Sequence, residues 1–113
     1  MKPQRSRCKR YATANNDAVD KQILALHKAM ADKLLAEPTL RQQILHTLEM
    51  RYQSGQLRYS AYIHWFSILD QLNHPEVFLA ELLSDSERMR KLRRRTIMVG
   101  ILTESERQAI LYP

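Results

Sequence analysis

Four histidines, one cysteine and a few close carboxylate pairs are the residues through which this chain could do covalent or metal chemistry. Their spacing argues against it. His27, His46, His64 and His74 stand 19, 18 and 10 residues apart. No pair falls on adjacent turns of one helix, where two ligands could close on a metal, and isolated histidines on mixed faces are ordinarily structural. Cys8 sits among Arg7, Lys9 and Arg10, which would favour its thiolate, but no ordered base or oxyanion-binding group accompanies it. The acid pairs Asp85/Glu87 and Glu104/Glu106 lie at helix starts, where capping and the helix dipole account for them. Two glycines in the whole chain offer no phosphate-cradling loop and no nucleophile elbow. The expectation is a protein that is not an enzyme, with no metal site and no cofactor.

Positive charge is the stronger signal. The net charge of +6 is unevenly spread. Lys2, Arg5, Arg7, Lys9 and Arg10 fall within the first ten residues, with no acid among them. Arg88, Arg90, Lys91, Arg93, Arg94 and Arg95 crowd into eight residues, 88–95. Between the two clusters, residues 11–87 carry six basic against ten acidic groups. Concentrated positive charge on a mildly acidic body suits an acidic protein surface or a nucleic acid, and binding of either kind weakens with salt. A helix-turn-helix reader does not fit. The connection around Gly55 is too long for the tight turn, and the helix that would enter a groove is aromatic and apolar, with only Arg58 near its start. Residues 88–95 are therefore the candidate partner-binding cluster, and the first ten residues a candidate polyanion-binding arm.

The elements that must position these charges read as helices. With 113 residues, 44% hydrophobic and 27% charged, the chain fits one domain with a core of its own. A single cysteine excludes an internal disulfide framework and suits a reducing, cytoplasmic setting. No stretch reaches the roughly 18 apolar residues of a membrane span, and the charged N-terminus lacks a secretory signal's apolar region. Residues 1–15 read as a flexible basic arm, and residues 16–113 as a single helical domain. Asn16 is a fitting cap for a first helix to Ala36, with Ile23, Leu26, Met30 and Leu34 on one face beside Leu24 and His27. Pro38 ends it, and Thr39 caps a second helix over 40–53 that buries Ile44, Leu45, Leu48 and Tyr52.

Gly55 stops that helix. The third, over 60–72, holds most of the aromatic mass, with Tyr62, Trp65, Phe66, Leu69 and Leu72 on a face that Ile63 and Ile68 widen. Central packing is the first reading of that width, and an exposed aromatic patch for a partner the second. Asn73-x-x-Glu76 with Pro75 starts a fourth helix over 75–83, burying Val77, Phe78 and Leu82. Ser84-x-x-Glu87 starts a fifth over 85–95, touching the core only through Met89 and Leu92. Ile97 to Leu102, around Gly100, reads as an apolar link filling the core. Thr103-x-x-Glu106 caps a last helix through Leu111. The fold class is all-α, a single compact bundle of five to six short helices.

The run Ser84-Asp85-Ser86-Glu87-Arg88-Met89-Arg90-Lys91-Leu92-Arg93, then Gly100-Ile101-Leu102-Thr103-Glu104-Ser105-Glu106-Arg107, with His27 and Lys33-Leu34-Leu35 earlier, resembles small uncharacterised α-helical bacterial proteins of toxin–antitoxin or mobile-element type. The resemblance covers about residues 24–111 and implies a binding partner rather than an active site, with no functional residue to transfer. The expected function is a non-catalytic interaction protein, antitoxin-like, whose basic helix takes an acidic protein partner. Substituting glutamate at Arg90, Arg93 and Arg94 is then expected to weaken the complex. The alternative is a nucleic-acid-binding protein using the arm and the same cluster. Apolar area left uncovered by narrow amphipathic helices also allows a homodimer.

Overall fold

The structure, a computed structural model, describes side chains over residues 17–113. The side chains of the expected arm over 1–15, with Lys2, Arg5, Arg7, Lys9 and Arg10, and of the expected cap Asn16 lie outside the described residues. The chain is all-helical: α1 (Lys2–Ala36), α2 (Leu40–Gln53), α3 (Tyr59–Leu69), α4 (Pro75–Leu82), α5 (Glu87–Arg94) and α6 (Glu104–Leu111). Helix α1 packs against α4, α5 and α6, while α3 joins α2 to α4. No helix among the described residues is long and apolar enough to cross a membrane.

Burial follows the three- and four-residue steps of each helix. His27, Met30, Ala31 and Leu34 face inward from α1, Ile44 and Leu48 from α2, Trp65, Ile68 and Leu69 from α3, and Phe78 and Leu82 from α4. The link after α5 drives Ile97, Met98 and Ile101 into the same core as turns rather than a strand. Each leucine, isoleucine, methionine or phenylalanine among them contributes about 1.5–3 kcal/mol by leaving water. The indole of Trp65 is fully buried, and its Nε1 has no hydrogen-bond partner among the described residues.

Several expected positions move outward. Leu45, Tyr52, Ile63, Phe66 and Val77 are exposed rather than buried, because short helices seat only one narrow stripe each against a neighbour. The aromatic face of α3 is consequently divided, with Trp65 inside and Phe66 outside.

The helix ends show which capping signals operate. Helix α2 closes on a Schellman motif: Gln56 N–H donates to Arg51 O at 2.9 Å and Gly55 N–H to Tyr52 O at 3.2 Å. Gly55 takes φ 79° there, a conformation costly for residues with a Cβ. Thr103 and Glu106 form the expected capping box at α6, with both bonds present. Three other caps differ from expectation. Thr39 has helical dihedrals and makes no side-chain cap bond; the chain around it is instead held by backbone bonds from Leu40 to Glu37 and Arg41 to Pro38. Asn73 is displaced by His74 as the residue before α4, and its Oδ1 accepts from Arg41 Nη1 at 3.3 Å. Helix α5 is capped by Ser86, whose Oγ accepts from Met89 N–H at 3.2 Å. Ser84 lies outside that helix, and its hydroxyl accepts from Ser86 N–H.

Candidate functional site

Helix α5 carries five of the six cations and Arg95 follows as its C-cap residue, and on a 3.6-residue period they cannot all share one face. Met89, Leu92 and Arg93 turn inward. Arg93 is only 3% exposed. Its Nη1 donates to Leu82 O, the last carbonyl of α4, at 2.8 Å and to Ser84 O in the link that follows at 2.7 Å. Burial pulls its pKa below the usual arginine value, while Asp20 and Asp85 oppose that. Arg93 was expected on the partner-binding face; instead it is buried and holds the end of α4 to α5.

The flanking positions are also engaged. Arg94 makes a two-pronged contact with Asp20 of α1, at 2.9 Å to each carboxylate oxygen, which holds Asp20 below the usual carboxylate pKa. Arg90 Nε and Nη2 donate to Asp85 Oδ1 at 3.1 and 2.9 Å. Of the three arginines whose replacement was expected to weaken a complex, one is buried and two already hold carboxylates. Their loss would act on the fold as much as on a partner.

The outward face is different. Arg88, Lys91 and Arg95 follow an i, i+3, i+7 spacing and line one groove of about 730 Å³. Arg58, Ser60 and Ala61 at the start of α3 form its other wall. Lys91 lies 3.7 Å from Glu87, the one carboxylate in the groove. Arg58, Arg88 and Arg95 have no carboxylate within ion-pair distance among the described residues. Arg88 is steadied by its Nε–H, which donates to His64 Nδ1 at 2.9 Å. Because a guanidinium only donates, His64 Nδ1 is the acceptor in that bond, and the His64 pKa is lowered by burial first and by the Arg88 charge second.

An apolar surface borders this groove. Ser60 and Arg88 also line a shallow depression with Tyr59, Ile63, His64 and Ser67. Tyr59 is 65% and Ile63 44% exposed. Behind Tyr59 the rings of Tyr52 and Tyr62 stack at a centroid distance of 4.2 Å, and Tyr62 donates its hydroxyl to Glu49. Arg58 and Tyr59 are the members of this surface that a search for charge runs passes over, since neither belongs to a cluster in sequence.

A second cavity, about 370 Å³, lies between α1, α5 and the 96–102 link. Its polar lining is already satisfied. His27 Nδ1–H donates to Ile23 O at 2.8 Å, which makes Nε2 the acceptor for the Thr96 hydroxyl at 2.8 Å. Thr96 Oγ1 accepts in turn from Met98 N–H at 3.0 Å, and Thr96 O accepts from Arg51 Nη1 at 2.6 Å. Burial, with the Arg93 charge adding to it against the Ile23 bond, lowers the His27 pKa to about 4. His27 therefore serves as a neutral core histidine. Among the described residues no group of three His, Cys, Asp or Glu side chains could hold a metal ion. Compared with protein-family models, curated proteins and solved structures, the chain matches none.

Proposed function

We propose that the chain is a non-catalytic interaction protein that takes an acidic surface of a protein partner in the groove between the start of α3 and the outer face of α5. One observation carries this reading. Arg58, Arg88, Lys91 and Arg95 converge on one groove, with Arg94, already held by Asp20, at its edge, and the lining includes a single carboxylate, Glu87. Its uncompensated members, Arg58, Arg88 and Arg95, gain from a polyanionic partner what paired cations cannot. The antitoxin-type role implied by the resemblance in residues 24–111 belongs to this proposal, as does the cytoplasmic setting expected from the single cysteine.

The test uses poly-L-glutamate as a probe of acidic protein surface, titrated against the full chain. Binding is expected to fall steeply between about 50 and 300 mM salt. The combined changes Arg58→Glu, Arg88→Glu and Arg95→Glu should weaken it about tenfold or more. Absence of salt-dependent binding, or full binding by the triple variant, overturns the reading.

A second reading, a nucleic-acid partner, is favoured by Tyr59, which lies exposed beside Arg58, since bases stack on tyrosine rings flanked by cations. Tighter binding of a single-stranded oligonucleotide than of poly-L-glutamate would move the assignment to it.

A further inference from the structure

The basic groove and the Tyr59–Ile63 depression are one continuous surface, because Ser60 and Arg88 line both. A purely ionic docking site needs no apolar shelf on its rim. Here Tyr59 and Ile63, one turn apart on α3, stand in solvent next to cations that no carboxylate within the described residues neutralises. Isolated exposed apolar residues are ordinary on protein surfaces. An apolar pair joined to an uncompensated arginine cluster is a composite surface. Tyrosine and arginine are the side chains that protein interfaces most often use as energetic anchors.

We infer that the acidic partner presents an amphipathic segment, its carboxylates meeting Arg58, Arg88 and Arg95 while an apolar side chain covers Tyr59 and Ile63. This rests on the acidic-partner reading and adds a requirement to it. The charge selects the partner class, and the shelf selects among acidic segments those with an apolar residue beside the carboxylates. An acidic but wholly polar segment would leave the shelf wet and gain only the screened ionic attraction.

The experiment compares two fluorescently labelled peptides of equal length and charge, titrated against the full chain by anisotropy. One is a glutamate-rich amphipathic helix with leucines at i, i+3 and i+4 positions, and the other has those leucines replaced by glutamine. A single-stranded oligothymidylate is the third probe. The leucine peptide is expected to bind about tenfold tighter, as burial of one large apolar side chain would give. Tyr59→Ser with Ile63→Ser should erase that advantage while leaving the glutamine peptide's affinity unchanged. Both positions face solvent, so the double variant is expected to unfold at the wild-type midpoint. Equal affinities for the two peptides would overturn the shelf and leave the acidic-partner reading standing. Binding of neither peptide, or tighter binding of the oligonucleotide, would overturn both.

Discussion

The two sides of α5 are built from the same residue types and do opposite work. On the inner side, Arg93 fills the end of α4, and Arg94 ties the helix to α1 through Asp20. On the outer side, Arg88, Lys91 and Arg95 stand in the groove with Arg58, and Arg94, held by Asp20, marks the border between the two sides. Proximity in sequence says nothing about which side a given arginine joins. Position on the helical period decides it, together with whatever carbonyl or carboxylate the neighbouring elements supply. A guanidinium saturated by buried acceptors holds the fold together, whereas one left in solvent is available to a partner.

The contrast can be broken most sharply at Arg93. Arg93→Met should keep much of the volume but strand the buried Leu82 carbonyl and the partly buried Ser84 carbonyl, costing up to about 4 kcal/mol; urea denaturation at neutral pH measures it. A loss below about 0.5 kcal/mol, the range of ordinary surface changes, would place Arg93 with the outer set.

Acid should weaken the inner side next. The His27 pKa falls from 6.5 unfolded to about 4 folded, so between those values the unfolded chain holds a proton that the folded chain rejects. Stability is therefore full above pH 6.5 and declines as pH drops toward 4, by about 3 kcal/mol in total. Unfolding midpoints across that range should fall steeply for the wild type and more gently for His27→Gln; identical slopes would remove His27 from the account. A later loss is expected from Glu106, which the Lys33 ammonium and the Thr103 N–H hold down to about 2. Its contribution is complete above about pH 4.5 and fades as pH approaches 2.

Smaller again is the Arg94–Asp20 contact, which lies partly in solvent. Arg94→Ala and Asp20→Ala should each destabilise less than Arg93→Met, and together by less than their separate effects add to. Strict additivity in that cycle would show the contact to be idle. Smallest of all on stability are Arg58→Glu, Arg88→Glu and Arg95→Glu, expected to stay within about 0.5 kcal/mol each while removing binding to acidic probes. A large loss of stability there would merge the two sides of α5 into one.

Much of the helical frame is legible from residue order, because Pro38, Gly55, Pro75 and the Thr103–Glu106 box act locally. The end of α1, the whole of α2 and the span of α6 follow from them. Caps fail where a distant residue intervenes, as when Arg41 engages Asn73, or where two serines compete and backbone direction favours Ser86 over Ser84. The candidate site is only half legible. The cluster over 88–95 can be read directly, but not which members face out, and Arg90, Arg93 and Arg94, expected to matter most to a partner, are the engaged ones. That Arg58 faces Arg88, Lys91 and Arg95, that Asp20 neutralises Arg94 from 74 residues away, and that Arg93 is buried all depend on tertiary placement. Apolar periodicity likewise marks Phe66 and Trp65 as equivalents, and only packing separates them.

Because Arg93 is seated in carbonyls at the end of α4 and just after it, Leu82 O and Ser84 O, it acts as an indexing pin for the rotation of α5 about its own axis. Inserting or deleting one residue between Ser86 and Arg93 would turn the helix about 100° relative to that pin. The outer cations would then swing off the groove even in a chain that still folds. Drift in the length of this stretch is thus penalised at the surface through a contact hidden in the core, while exchange among residue types at the outer positions is left comparatively unconstrained by folding.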